Sequence, residues 1–184
     1  DELGGTVELL ACDVPGARVL ERAARLGVPA VCPPAGRFRT RLEAEALWRD
    51  LMRAQGIEVL LLAGFMRRLH ATLLDAWPDR ILNLHPSLLP AFPGLDAIGR
   101  AWQEGVRWTG CTVHLVDAGL DAGPIVAQQA VEVRDDGTLE RLEARIHEAE
   151  HGLYPRAVRR FLEQPWRREG RRIVFAAGTE ADRG

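Results

Sequence analysis

The chain has 184 residues, of which 47% are hydrophobic, enough for one globular domain with a sizeable core. Its formal net charge of −2 argues against the strong basic field that draws proteins to nucleic acid. The cysteines at 12, 32 and 111 are too scattered for a disulfide framework, so we expect small core residues in a reducing cytoplasm. No apolar run reaches the length of a membrane span, so no membrane partner is expected.

The first half of the chain alternates predicted strands and helices. In chain order these elements are a strand at 6–13, a helix at 17–27, an extended segment at 28–34, a helix at 41–55, a strand at 57–64 and a short helix at 71–77. Gly27 and Gly56 are helix stop signals. The continuous apolar run at 57–64 is typical of a strand that is covered on both faces.

The second half places two long strands next to each other in the sequence. The predicted elements are a strand at 81–84, a helix at 95–104, strands at 111–116 and 124–133, a helix at 138–163 and an edge strand at 171–175. Thr138 is a suitable N-cap for the long helix. We therefore predict one α/β domain over residues 1–184: an open, mostly parallel twisted sheet with helices on both faces and antiparallel pairing late in the chain.

Polar side chains interrupt the apolar strand in "ILNLHPSLLPAFPG", residues 81–94. Side chains alternate across a strand, so Asn83 and His85 point the same way at a strand end, where ligands bind in such sheets. The Asn83 amide and a protonated His85 both offer hydrogen-bond donors, which could stabilise the oxyanion of a carbonyl addition. His85 could also pass a proton to a leaving group.

A protonated histidine at neutral pH needs a neighbouring carboxylate to raise its pKa, and Asp121 in the Gly-rich turn "DAGLDAGP" is the candidate. Taken singly, Asp121 is a turn former, and His85 and His114 are structural residues of strands. No second histidine lies at ligand spacing from His85, so we predict no metal site. We interpret His147 and His151, on the last helix, as a surface pair.

Four segments then carry a resemblance to a known family: "LAGFMRRL" at 62–69, "ILNLHPSLLPAFPG" at 81–94, "TGCTVHLVDAGLDAGPI" at 109–125 and "EHGLYP" at 150–155. In this order they resemble the glycinamide ribonucleotide formyltransferase family, folate-dependent enzymes of purine biosynthesis and one-carbon metabolism. The resemblance implies a Rossmann-like fold. It also implies transfer of the formyl group of 10-formyltetrahydrofolate, the co-substrate, to the amine of glycinamide ribonucleotide.

The resemblance also assigns roles to residues. It implies that Asn83 and His85 stabilise the tetrahedral oxyanion, that His85 donates a proton, and that Asp121 keeps His85 charged. The implied folate-binding residues are Arg41, Phe65, Met66, Arg67, Arg68, Leu69, Asn83, Asp117, Ala118, Leu120 and Asp121. The implied ribonucleotide-binding residues are Pro86 and Glu150. The expected partners are these small molecules, with a homodimer as a further expectation.

The chain departs from the family pattern at its beginning. The family opens with an additional strand and a Gly-x-Gly-Ser-Asn turn that holds the substrate phosphate at a helix N-terminus. The chain has no counterpart, and Gly4-Gly5 is not preceded by a strand. We expect this segment to exist in the native protein, since losing a central strand would expose unpaired backbone.

Several other functions compete with formyl transfer. A 10-formyltetrahydrofolate hydrolase could use the same Asn83, His85 and Asp121, although Pro86 argues against it. A formyltransferase for initiator tRNA would need an additional basic domain. A non-catalytic folate-binding remnant would have little reason to retain the three polar residues. A dinucleotide-binding domain would need a Gly-x-Gly-x-x-Gly turn, which the sequence lacks.

Overall fold

The structure is a computed structural model that describes residues 2–32, 41–65, 67–135 and 137–176. In chain order its elements are β1 (Leu10–Ala11), α1 (Arg18–Leu26), β2 (Ala30–Val31), α2 (Arg41–Ala54), β3 (Leu60–Leu62), α3 (Ala71–Leu74), β4 (Ile81–His85), α4 (Ala97–Gln103), β5 (Trp108–Leu115), β6 (Ile125–Glu132), α5 (Leu139–Glu163), β7 (Trp166–Glu169) and β8 (Arg172–Phe175). No helix in these ranges is long and apolar enough to cross a membrane.

The chain divides into two units. The smaller unit comprises residues 6–60 and 69–78, and the larger unit comprises residues 1–5, 61–68 and 79–184. The single domain over 1–184 stays a prediction.

The smaller unit holds a two-stranded parallel sheet, in which Leu10 of β1 pairs with Ala30 of β2. Helix α1 ends at Leu26, and Gly27, the predicted stop signal, caps it with a left-handed φ of 69° that a residue without Cβ adopts readily. Strand β1 occupies two residues of the eight predicted, so the strand predicted at 6–13 is much too long. The end of the segment predicted at 28–34 lies outside the described residues.

The larger sheet has six strands in the order β3-β4-β5-β6-β8-β7. Strand β4 pairs antiparallel with β5, β5 pairs antiparallel with β6, β6 pairs parallel with β8, and β7 pairs antiparallel with β8. The predicted α/β class with late antiparallel pairing is confirmed. Strand β7 was not predicted, because its sequence, Trp-Arg-Arg-Glu, is charged and mostly exposed and has no apolar alternation.

Helix α5 closes the core of the larger unit. Its Leu142 and Ile146 pack with Ile98 of α4 and with Val133. Burial of each such aliphatic side chain contributes about 1.5–3 kcal/mol. The helix begins as predicted, because the Thr138 hydroxyl accepts a hydrogen bond from the Arg141 N–H at 3.4 Å.

Tyr154 ties the same helix to the start of the sheet. Its hydroxyl lies 2.9 Å from the carbonyl oxygen of Leu62 in β3 and 3.2 Å from that of Leu82 in β4. Burial raises the pKa of this phenol, so it stays protonated and keeps its hydrogen for these carbonyls. The interaction fixes the strand that carries Asn83 and His85.

The cysteines differ in burial. Cys111 is buried, as predicted, whereas Cys12 and Cys32 are half-buried, so the prediction that all three are core residues is wrong for these two. Both follow directly after the two-residue strands β1 and β2, where the small sheet ends.

We predict that Gly110→Ala destabilises the larger unit. Gly110 lies in β5, and a Cβ there would come 2.0 Å from the backbone oxygen of Gln129 in β6, so the two strands would have to separate. We expect the free energy of unfolding in urea to fall by about 1–3 kcal/mol.

Gly152→Ala is the matched control. Its Cβ would meet, at 3.1 Å, the far end of the Arg156 side chain, which can move aside. Alanine also favours a helix over glycine by about 1 kcal/mol. We expect unchanged or increased stability, and equal losses in the two variants would contradict this account of Gly110.

Candidate active site

The antiparallel register of β4 and β5 builds the site. Asn83 pairs with His114, and His85 pairs with Thr112. Directly opposite residues share a face of the sheet and alternate residues return to that face, so all four polar side chains lie on one face. His85 is 5% exposed, His114 2% and Thr112 0%. Such deeply buried polar groups need defined hydrogen-bond partners.

Asp121 brings a carboxylate to this face from the turn between β5 and β6. Its Oδ2 lies 3.5 Å from His85 Nδ1, and its Oδ1 lies 3.7 Å from His114 Nε2. The Gly94 N–H donates a hydrogen bond to Oδ2 at 2.7 Å. Asp121 has a left-handed φ of 47°, which aspartate tolerates better than most residues. The structure therefore brings Asn83, His85 and Asp121 together.

The His85 ring is oriented by a backbone carbonyl. Nε2 lies 2.9 Å from the oxygen of Phe92, and because a carbonyl only accepts, Nε2 must carry a proton. The other nitrogen, Nδ1, faces Asp121. Nδ1 is therefore the ring nitrogen that the backbone carbonyl leaves available to the site.

His114 orients the Asn83 amide. The Nδ1–H of His114 donates to the Leu115 carbonyl at 2.9 Å, so Nε2 is an acceptor in the neutral ring. Burial lowers the pKa of His114 and outweighs the opposite effect of Asp121, which keeps the ring neutral. Asn83 Nδ2, 3.2 Å from Nε2, donates one hydrogen to it and has a second for a ligand.

A buried polar cluster holds the loop after β4. The Thr112 hydroxyl donates to the Ser87 carbonyl at 2.6 Å and accepts from the Leu89 N–H at 3.1 Å. The Gln128 amide donates to the Leu89 carbonyl and to the Thr112 hydroxyl, both at 2.9 Å. Thr112 and Gln128 were not among the residues identified from the sequence. Both residues lie on strands, β5 and β6, in which every second side chain lies on the face of Asn83 and His85. This alternation was the signal that could have identified them.

Glu150 lies on α5 with its side chain only 12% exposed. Its Oε2 is 2.8 Å from His147 Nδ1, and His147 and His151 are both exposed on α5, as predicted for a surface pair. Burial, and then the Glu150 charge, raise the pKa of Cys111 to about 12. Cys111 is therefore a thiol and not a nucleophilic thiolate at neutral pH.

Comparison with known proteins identifies the family of this chain. Residues 1–158 match the family described as formyl transferase. The chain is 44% identical over 154 residues to phosphoribosylglycinamide formyltransferase of Bacillus subtilis, covering 84% of this chain and 79% of the relative. The chain belongs to the phosphoribosylglycinamide formyltransferase family. A 152-residue match to the trifunctional purine biosynthetic protein adenosine-3 of Drosophila melanogaster is 40% identical and covers 83% of this chain but 11% of that protein.

Solved structures of formyltransferases share the fold. Glycinamide ribonucleotide transformylase 1 from Symbiobacterium toebii superposes with a TM-score of 0.90 at 44% identity, covering 94% of this chain and 82% of that one. Phosphoribosylglycinamide formyltransferase from Bacillus halodurans gives a TM-score of 0.84 at 41% identity, covering 88% and 84%. These likenesses confirm the family resemblance on which the sequence analysis rested.

Two segments predicted to bind folate meet in this formyltransferase. Arg68 Nη2 donates a hydrogen bond to the Ala118 carbonyl at 2.7 Å, which joins residues 67–68 to the turn at 117–121. In that turn Asp117 Oδ1 accepts from the Gly119 N–H at 2.9 Å, and Leu120 is exposed. Phe65, Leu69 and Pro86 are half-buried. Met66 and the side chain of Arg41 lie outside what the structure describes.

The neutral state of His114 in this formyltransferase predicts a dependence of stability on pH. The pKa of the buried ring lies below its ordinary value of 6.5, so the unfolded chain binds the proton first as pH falls. The stability that His114 contributes is therefore complete above pH 6.5 and is lost as pH falls towards the lowered pKa.

Urea unfolding at a series of pH values from about 5 to 8 measures this effect. We expect the wild type to lose more stability on acidification than His114→Gln, which cannot take up the proton. His151→Gln, at an exposed position on α5, is the control and should follow the wild type. Parallel curves for the wild type and His114→Gln would overturn the assignment of a neutral, buried His114.

Proposed function

We propose that this chain transfers the formyl group of 10-formyltetrahydrofolate to the amine of glycinamide ribonucleotide. The observation that carries the proposal is the grouping of Asn83, His85 and Asp121 on one face of the sheet. The relatives that carry the name phosphoribosylglycinamide formyltransferase support the choice of substrates. Formyl transfer requires a donor for a developing oxyanion and a group that moves a proton, and these side chains provide both.

Asn83 is the first oxyanion donor. When the substrate amine adds to the formyl carbon, the carbonyl electron pair moves to oxygen, and the free N–H of the Asn83 amide can donate to that oxygen. His114 accepts the other N–H at 3.2 Å and so fixes the rotation of the amide before the substrate arrives. Such preorganised donors stabilise a transition state without rearranging during the reaction.

His85 handles the proton through Nδ1. Its Nδ1–H donates to the oxyanion and then protonates N10 of the folate as the bond between the formyl carbon and N10 breaks. The added amine nitrogen releases one proton, which returns the ring to its starting state. Asp121, 3.5 Å from Nδ1, balances the charge of the imidazolium, and the Phe92 carbonyl keeps Nε2 out of the exchange.

The substrate contacts are part of the same proposal. The family resemblance assigns the flat pterin ring to the turn at 117–121 and to residues 65–69, whose residue types supply apolar side chains and backbone polar groups, with Arg41 as a further contact. Glu150 receives the substrate amine, and its bond to His147 holds the carboxylate in place, with Pro86 as a further contact of the ribonucleotide. A cytoplasmic location and a homodimer stay predictions.

The proposal predicts that purified chain forms formylglycinamide ribonucleotide and tetrahydrofolate in equal amounts. His85→Gln and Asp121→Asn should lower kcat/KM by about 10²–10⁴-fold, the range for loss of proton transfer. Asn83→Ala should lower it by about 10²–10³-fold, as for loss of one oxyanion donor. His151→Gln, on the exposed face of α5, should retain wild-type activity.

Two other outcomes would replace the proposal. Formate release at the same rate with and without the amine substrate would indicate a hydrolase. Tight folate binding without formate release or formyl transfer would indicate a folate-binding protein. Full activity in His85→Gln would contradict the assignment of the proton donor.

A further inference from the structure

We infer that Arg100 is a positioning residue that holds the backbone of residues 92–94 against His85 and Asp121. The inference rests on the proposed function of that site. Arg100 lies on α4, outside the four segments that carried the family resemblance, and sequence analysis gave it no role.

Residues 92–94 hold both partners of the His85–Asp121 pair. The Phe92 carbonyl accepts from His85 Nε2 at 2.9 Å, and the Gly94 N–H donates to Asp121 Oδ2 at 2.7 Å. These two backbone groups are separated by Pro93 alone. A displacement of this short segment would therefore change the ring orientation of His85 and the position of the Asp121 carboxylate together.

The segment does not adopt its conformation by local preference. Phe92 has a φ of 52°, in the left-handed region that bulky side chains rarely enter. Such a conformation persists only where surrounding contacts hold it in place. The hydrogen bonds to His85 and Asp121 supply part of that restraint, and the Ser87 hydroxyl, 3.5 Å from the Phe92 carbonyl oxygen, supplies another part, but none of these contacts engages the Phe92 ring or the Pro93 carbonyl.

Arg100 engages both of these groups. Its Nη2 donates a hydrogen bond to the Pro93 carbonyl, and its guanidinium carbon lies 5.9 Å from the centroid of the Phe92 ring. One side chain thus contacts both residues that precede Gly94. Helix α4 holds the backbone of Arg100 in a fixed position, because Ala97, Ile98 and Ala101 of this helix are buried.

The Arg100 side chain also has one feature that lowers the stability of the fold. Arg100 Nε is buried and has no hydrogen-bond partner within the described part of the chain. A buried donor without a partner is destabilising. Arg100→Gln removes this donor together with the contacts to Phe92 and Pro93, so we expect little net change in stability. A loss of activity caused by displacement of residues 92–94 can therefore be distinguished from a loss of activity caused by unfolding.

The experiment compares Arg100→Gln and Arg100→Lys with Arg160→Gln. Arg160 is the matched control, because its guanidinium also lies over a phenylalanine ring, 4.0 Å from the centroid of Phe175, and also hydrogen-bonds within its own unit, to Gln164. We expect Arg100→Gln to lower kcat by about 10-fold or more, as small misplacements of reacting groups do, with both KM values within about 3-fold of wild type.

Arg100→Lys should recover part of that loss, because an ammonium group can donate to the Pro93 carbonyl but cannot stack as a planar group on Phe92. Arg160→Gln should keep the wild-type kcat. Urea midpoints are expected to agree for all four proteins. A raised KM for the ribonucleotide with kcat unchanged would overturn the inference and would indicate that Arg100 binds the substrate.

Nitrogen NMR of ¹⁵N-histidine-labelled protein separates this inference from the proposed function, because it needs no turnover. In the wild type we expect His85 to hold its proton on Nε2 when neutral, whereas in Arg100→Gln the two ring tautomers should mix. An unchanged His85 spectrum in Arg100→Gln would overturn the positioning role. Absence of formyl transfer by a wild type with the expected spectrum would reject the proposed function alone.

Discussion

The Asp121 carboxylate is the constraint on which the site depends. It lies between the rings of His85 and His114 and accepts a hydrogen bond from the Gly94 N–H. Three separate parts of the larger unit therefore converge on one pair of oxygen atoms. Partial burial of a carboxylate without such partners is destabilising, so the loop after β4 and the turn after β5 stabilise each other's position through this group.

The two histidines are kept in different states by their surroundings. His114 is enclosed by the sheet and donates to the carbonyl of its own neighbour, Leu115, which suits a neutral ring that accepts from Asn83. His85 faces Asp121 with Nδ1, the nitrogen that does not bond to a backbone carbonyl. Two histidine rings beside one carboxylate thus present different nitrogens to the site, because backbone carbonyls hold Nε2 in His85 and Nδ1 in His114.

Much of this arrangement could be predicted from the sequence. Alternation along 81–85 placed Asn83 and His85 on one face, and the Gly-rich turn pointed to Asp121. The roles of Phe92 and Gly94 could not be predicted, because a backbone carbonyl and a backbone N–H leave no pattern in the residue types. His114 was interpreted as structural, since its contact with Asn83 depends on the antiparallel register of β4 and β5, which the sequence does not specify. Strand β7 was missed because its charged residues lack strand periodicity.

The bonds to Phe92 and Gly94 also bear on how such a site can vary over evolution. Both groups, which hold His85 and Asp121, belong to the main chain. Every residue supplies a carbonyl, and every residue except proline supplies an N–H, so these bonds place no demand on side-chain chemistry at 92 and almost none at 94. Selection at these positions therefore acts on backbone shape: it favours glycine at 94, where φ is 80°, and at 92 a residue that accepts a left-handed φ of 52°.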